Sequence, residues 1–312
     1  MRIASKAEDH TRRIGCSQLG AIKGVSKFAT PYDVYLAYWG KEAEKPEPTD
    51  EQKESMAMGT FFEDAICRYF AKKYSLKIRR SNLGFCRDDM PYFICHPDRL
   101  VTGTVDGKRL ALECKLVSQF SSDWGDEDTD QIPDSYLLQC QGYFACGVPC
   151  DEVWLCRMQG NRVKRFVIAP DQELIKMILD SVKEFHDKLE DGWIPDPSTQ
   201  AEANSRWVPT ENCIKADSSV KADLTLRANI KSQEKALRIK LDEVELRIKN
   251  YMGDFGYITD FGKDGKPVVL ATWKNQTQNR FDQSAFRGDH PDLYGQYIKT
   301  GTSRVLRQKG VI

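Results

Sequence analysis

The stretch that most limits how this chain can fold is residues 110–116, LALECKL. A short apolar run that follows a turn signal reads as a β-strand bound for a core. Glu113 and Lys115 sit inside it, separated by one residue. Side chains alternate along a strand, so both charges emerge on one face while Leu112, Cys114 and Leu116 take the other. A buried carboxylate or ammonium costs free energy unless it is paired, so the fold must bring partners to that face.

Neighbouring segments supply candidates. Residues 92–101 and 109–117 read as two strands around Val105-Asp106-Gly107-Lys108, and Asp-Gly is a strong two-residue hairpin signal. Pairing outward from that turn sets Asp98 opposite Lys115 and diagonal to Glu113. Diagonal neighbours on one face lie about 7–8 Å apart, close enough for two carboxylates to share a metal ion. A bulge at Thr102-Gly103-Thr104 would shift this register. Upstream, a helix is expected over 51–74, with Glu63, Ile66, Cys67 and Phe70 on one stripe. Glu63 therefore lies on the apolar side.

Glu63, Asp98, Glu113 and Lys115 thus make an acidic pocket with one cation. Core-facing carboxylates repel one another unless something positive sits between them. Oxygen donors of this kind suit Mg²⁺ or Mn²⁺, held by carboxylates, waters and substrate phosphate. Such a metal activates water and neutralises charge on phosphorus. Lys115 could orient or deprotonate that water, or stabilise the developing negative charge. The competing reading is a buried ion-pair network of Lys115 with Asp98 or Glu113.

The rest of the chain frames this pocket. Residues 14–39 read as a short helix, a turn at Gly24 and a second helix capped by Thr30, with Pro31 at its first position. A polar loop fills 41–50. After the acidic segment 123–134 come a helix over 135–146, strands over 152–158 and 163–169, and an amphipathic helix over 171–189. Residues 198–220 read as a polar linker. Beyond it, Ile230, Leu237, Leu241, Val244, Ile248 and Tyr251 form a heptad-like seam on a long helix, packing within the chain or between subunits. A hairpin is expected over 257–273. The domains are therefore 1–198 and 199–312.

Bulk properties narrow the classes. Lys plus Arg equals Asp plus Glu at 46 each, so net charge exerts no global pull toward nucleic acid. Basic clusters at Arg12-Arg13, 77–80 and 162–165 are local. No apolar run approaches the roughly 18 residues of a spanning helix, and the N-terminus has no apolar leader core. A cytoplasmic protein without a membrane segment is expected. The ten cysteines lie mostly in apolar runs and read as reduced thiols. Cys140, Cys146, Cys150 and Cys156 cluster in sequence as for a metal or iron–sulfur site. Their helical and strand patterns favour separate buried thiols.

Pro97-Asp98 followed by Glu113-Cys114-Lys115 has the PD-(D/E)XK form. Around it, residues 14–40 (IGCSQLGAIKGVSKFATPYDVYLAYWG), MGTFFEDAICRYF, HPDRLV and LLQCQGYFACGV resemble, in order and spacing, four blocks of the YqaJ/lambda-exonuclease group of phage recombination nucleases. The resemblance covers about residues 12–195. It implies an α/β (α+β) core, a central mixed sheet flanked by helices, to which a long helix and hairpin are appended C-terminally. Asp98 and Glu113 would ligate metal with the Cys114 carbonyl, and Glu63 would hold a second ion or its water. Lys115 would be the catalytic lysine, and Gln139 would line the site with Gln141 and Tyr143. Ser17 matches a serine that grips the 5′-phosphate. The arginine expected seven residues before it is His10 here, leaving Arg12 or Arg13 to substitute. Arg99 stands where the family has glycine.

The implied activity is a 5′→3′ exonuclease on linear double-stranded DNA, using two Mg²⁺ or Mn²⁺ ions and leaving 3′ single strands for an annealing partner. Family members related to the lambda enzyme form ring-shaped homotrimers. ATWK, RFD, HPDL and SRVLRQK in the C-terminal part resemble an extension of some phage-type nucleases, a candidate for DNA, partner or subunit contact. An endonuclease or structure-specific nuclease on the same core, and a non-catalytic DNA-binding scaffold, are the alternatives.

Overall fold

A computed structural model describes residues 2–5, 12–45, 47–80, 83–208, 210–299 and 305–308. The chain divides into two compact units, Met1–Pro209 and Thr210–Ile312.

The first unit opens with β1 (Arg2–Ser5), β2 (Ile14–Gly15), a 3-10 turn at Cys16–Gln18, α1 (Leu19–Ile22) and α2 (Pro31–Tyr38). Thr30 caps α2 through a reciprocal box with Asp33, and Pro31 fills the first helical position as expected. The long α3 (Asp50–Lys73) follows, then β3 (Ile78–Arg80), β4 (Leu83–Cys86), β5 (Phe93–Cys95), β6 (Arg99–Val101) and β7 (Leu110–Val117). After α4 (Asp134–Ala145) come β8 (Glu152–Gln159), β9 (Arg162–Ile168), α5 (Gln172–Glu190) and α6 (Gln200–Arg206). The last of these corrects the linker reading of 198–220. Its anchor is Glu202, 5% exposed, whose carboxylate accepts from the Ser198 amide at 2.7 Å and the Thr30 hydroxyl at 2.8 Å.

Five strands order as β3-β6-β7-β8-β9, with β7 and β8 parallel and the other pairs antiparallel. A second sheet orders as β1-β4-β5-β2. The parallel step needs a crossover, and α4 provides it. Both faces of β7 are covered, which explains its nearly unbroken apolar sequence. Leu110, Leu112 and Cys114 pack with Ile66, Cys67 and Phe70 of α3, while Ala111 joins the core that contains Leu138 and Tyr143 of α4. Ile66 is 2% and Phe70 0% exposed, and each fully buried side chain of that size stabilises docking by about 1.5–3 kcal/mol. This helix–sheet–helix sandwich is the α/β architecture the sequence implied, a central mixed sheet flanked by helices.

The β6–β7 hairpin differs from the expected register by two residues. Asp106 and Gly107, with φ of 50° and 79°, form the turn pair, and Val105 and Lys108 exchange both backbone hydrogen bonds at 2.9 Å. Further out, Leu100 faces Ala111 and Arg99 faces Leu112. Residues 102–104, with Gly103 at φ 83°, place two extra residues on the first strand. One step beyond Arg99, Asp98 comes level with Glu113 in place of Lys115.

The second unit contains α7 (Ser218–Met252), the hairpin β10 (Tyr257–Phe261) and β11 (Pro267–Thr272), and the short α8 (Gln283–Asp289) and α9 (Pro291–Tyr297). The heptad seam on α7 is exposed, from 41% at Val244 and Ile248 to 82% at Tyr251. Among the described residues no helix is long and apolar enough to cross a membrane.

Candidate active site

The α4-facing side of β7 gathers the charges. Glu113 is 2% exposed. Its Oε1 accepts from Gln139 Nε2 at 2.7 Å and lies 2.6 Å from Lys115 Nζ, while its Oε2 accepts from the Tyr143 hydroxyl. Gln139 and Tyr143 stand four residues apart on α4, so one helix face presents both donors. Lys115 Nζ also sits 5.3 Å from the centre of the Tyr136 ring, one turn earlier on α4. Burial works to lower the Lys115 pKa, but Glu113 and then Asp98 outweigh it and hold the ammonium above the ordinary lysine range.

Asp98 enters from the strand end before β6. Its Oδ2 accepts from the Cys114 amide at 2.8 Å, locking the two strands together at the site. Burial, reinforced by repulsion from Glu113 and Glu63, raises its carboxyl pKa well above the usual value, against the pull of Lys115 and the Cys114 amide. The donor chemistry fits a hard divalent cation: two carboxylates converge from paired strands, and one is held away from its charged form by its neighbours.

Glu63 reaches this region from α3 and is met by an arginine. Arg99 is 3% exposed. It donates to Glu63 Oε1 at 3.0 Å, to Asp64 Oδ1 at 2.8 Å and to the Asp98 carbonyl at 2.6 Å. Arg99 thus ties α3 to the strand carrying Asp98. Reading the sequence singled out Arg99 only as a departure, and missed Asp64 and Tyr136. Nothing in their spacing marks them, because their partners come from other elements.

Other expected residues lie apart. Gln141 occupies the opposite face of α4, where its amide donates to the Ala169 carbonyl at 2.8 Å and accepts from the Asp171 amide at 3.0 Å, fastening β9 to α5. Arg12, at φ 63°, pairs with Glu190 at the end of α5 and stacks 4.5 Å over Trp39; the Tyr38 hydroxyl donates to the same carboxylate. Arg13 is partly buried and Ser17 exposed on the turn before α1. That turn lies against α4: a Cβ on Gly142 would stand 2.9 Å from Cys16 Sγ. His10 falls outside the described residues. The cysteines at 140–156 do not converge either. Cys146 sits with Cys16 and Cys95, and Cys156 pairs with Cys114 across the β7–β8 ladder.

A cavity of about 540 Å³ opens beyond the end of β7, lined by Leu116, Trp124, Pro133, Tyr136, Lys27 and Phe28 among others. Its wall includes Tyr136, whose ring lies 5.3 Å from Lys115 Nζ, and a concave site beside convergent polar groups is where ligands bind.

Residues 7–147 match the YqaJ-like viral recombinase domain. Over 303 residues the chain is 28% identical to the uncharacterized protein YqaJ of Bacillus subtilis (strain 168), spanning 93% of this chain and 89% of that protein. An alkaline exonuclease from Laribacter hongkongensis superposes with a TM-score of 0.43 at 16% identity, covering 59% of this chain and 90% of its own. A phage related exonuclease from Haemophilus somnus 129PT gives 0.35 at 16% identity, covering 58% and 96%.

Proposed function

From the premise that residues 7–147 form a YqaJ-like viral recombinase domain, we propose that the chain is a metal-dependent 5′→3′ exonuclease on linear double-stranded DNA. The observation that carries this reading is the approach of Asp98 and Glu113 from paired strands, with Lys115 2.6 Å from Glu113. Asp98, Glu113 and the Cys114 carbonyl would hold a Mg²⁺ or Mn²⁺ ion, and Glu63 would serve a second ion once released from Arg99. Such an ion supplies Lewis acidity and a hydroxide-like water.

The chain's own residues do the rest. Gln139 and Tyr143 fix the Glu113 carboxylate in one orientation, so its oxygens are aimed before substrate arrives. Lys115, cationic in this geometry, stabilises negative charge growing on the phosphate oxygens. The cavity past β7 admits the strand being cut, and Ser17 with Arg12 or Arg13 are candidates for the 5′-phosphate. The product would be 3′ single strands for an annealing partner, and residues 210–312 would serve subunit, DNA or partner contact. A homotrimer belongs to the same reading.

Incubation with Mg²⁺ and either linear duplex or covalently closed circles, bearing 5′-phosphate or 5′-hydroxyl ends, tests it. Degradation of the linear form alone, faster from 5′-phosphate ends, is the expected result. Cutting of circles would turn the reading to an endonuclease, and cutting of neither to a scaffold. Glu113→Ala should abolish cleavage in a folded protein; full activity in that variant would remove the site assignment.

A further inference from the structure

Cys114 turns its side chain away from Glu113, onto the α3 face of β7, where it meets Cys67 of α3. The two sulfurs stand 2.9 Å apart, well beyond a disulfide bond of about 2.05 Å, and both are free thiols. A carboxylate oxygen of Asp98 completes the group, with all three donor atoms within 4.8 Å of one another. Cys67 is 0% and Cys114 8% exposed, whereas Asp98 is only partly buried.

Two sulfurs and one oxygen make a donor set unlike the all-oxygen set on the other face of β7. Zn²⁺ binds thiolate at about 2.3 Å and carboxylate at about 2.0–2.2 Å in a tetrahedral set, so the two sulfurs part to about 3.8 Å as they take the ion between them. Thiolate donors select Zn²⁺ over Mg²⁺, which demands oxygen and keeps its waters. Each thiol gives up its proton to solvent as its sulfur takes the metal. Asp98 links the two faces. One of its oxygens already accepts from the Cys114 amide, so a sulfur-held cation and an oxygen-held cation compete for the other.

We propose that Cys67, Cys114 and Asp98 form an inhibitory site for a thiophilic divalent cation, Zn²⁺, which draws Asp98 away from the hard-metal site. The inhibitory part rests on the nuclease reading; the binding part does not. Occupation couples α3 to the catalytic strand through metal. Arg99, engaged by Glu63 and Asp64, neutralises those carboxylates and leaves the Asp98 side chain to the cation.

The test begins with Co²⁺ added to reduced, metal-free full-length protein without Mg²⁺ or DNA. A thiolate-to-cobalt charge-transfer band should appear, be displaced by Zn²⁺, and weaken in Cys67→Ser, which exchanges only the sulfur for oxygen. In a Mg²⁺-driven nuclease assay, the Zn²⁺ concentration giving half inhibition should rise about tenfold or more in Cys67→Ser, with uninhibited activity unchanged. Circular dichroism establishes that the variant is folded, and Cys67→Ala serves in its place if it is not. A band equally strong in the Cys67 variant, or equal Zn²⁺ sensitivity of variant and parent, overturns the proposal. A Cys67-dependent band in a protein with no Mg²⁺-driven cleavage leaves the Zn²⁺ site standing and removes the nuclease reading with the inhibitory role.

Discussion

Replacing Arg99 with alanine should expose how far the site depends on one buried guanidinium. Three hydrogen bonds are lost, to Glu63, Asp64 and the Asp98 carbonyl, from a side chain 3% exposed. Removing one member of a buried ion pair costs about 3–5 kcal/mol when the remaining charge stays buried. Here the Glu63 and Asp64 side chains are 33% and 35% exposed, so water can partly replace the arginine. That screening reduces the expected loss to about 2–3 kcal/mol. For a domain of this size the melting temperature should fall by about 4–12 °C in the presence of a chelator. Glu63 is simultaneously released beside Asp98 and Glu113, so Mg²⁺ should restore more stability to Arg99→Ala than it adds to the parent. Thermal unfolding followed by circular dichroism, with chelator and with Mg²⁺, reads both effects. An unchanged midpoint in chelator would refute the argument from burial. An identical Mg²⁺ increment in parent and variant would refute the claim that Arg99 competes with metal for Glu63.

Asp98→Asn should stabilise the metal-free protein at neutral pH, because the raised Asp98 carboxyl binds its proton more tightly in the folded state. The sign follows from linkage: that contribution is fully present below the unfolded pKa of about 3.9 and is lost as pH rises through the folded value. Urea midpoints in chelator should therefore converge for parent and variant as pH falls, and a gap independent of pH would count against it. Tyr143→Phe removes a buried donor to the Glu113 carboxylate and should cost about 1.5–3 kcal/mol in guanidinium unfolding; no measurable loss would mean the hydroxyl is not bonded there. Glu202→Ala strands the Ser198 amide and the Thr30 hydroxyl, and should cost about 1–3 kcal/mol and open residues 198–206 to limited proteolysis. Unaltered cleavage kinetics would show that α6 is held by something else.

Local signals carried the parts of this fold that local interactions decide. Asp106-Gly107 announced its turn because only residues tolerant of positive φ fit there, and Thr30-Pro31 announced α2 because capping acts within four residues. The stripe carrying Glu63 was legible from helical spacing. Where partners come from distant segments, the sequence was silent. Arg99 looked like a departure from a family pattern until α3 brought Glu63 and Asp64 to it. α6 looked like linker because its five polar residues and two alanines show no apolar period, and its buried carboxylate reaches Thr30, 172 positions away. Gln141 shares a helix with Gln139 but, two residues on, faces the other way.

The two extra residues at 102–104 set a rule of parity. Side chains on a strand repeat every two positions, so an even insertion slides the β6–β7 ladder without turning any residue over. Asp98 moves from beside Lys115 to beside Glu113 and stays on the same side of the sheet. A single added or deleted residue taken up in the ladder would take Asp98 from beside Glu113 and put Arg99 there. Length changes in this hairpin are therefore tolerated by the site in twos, and a change of one must be absorbed wholly in the bend at Gly103.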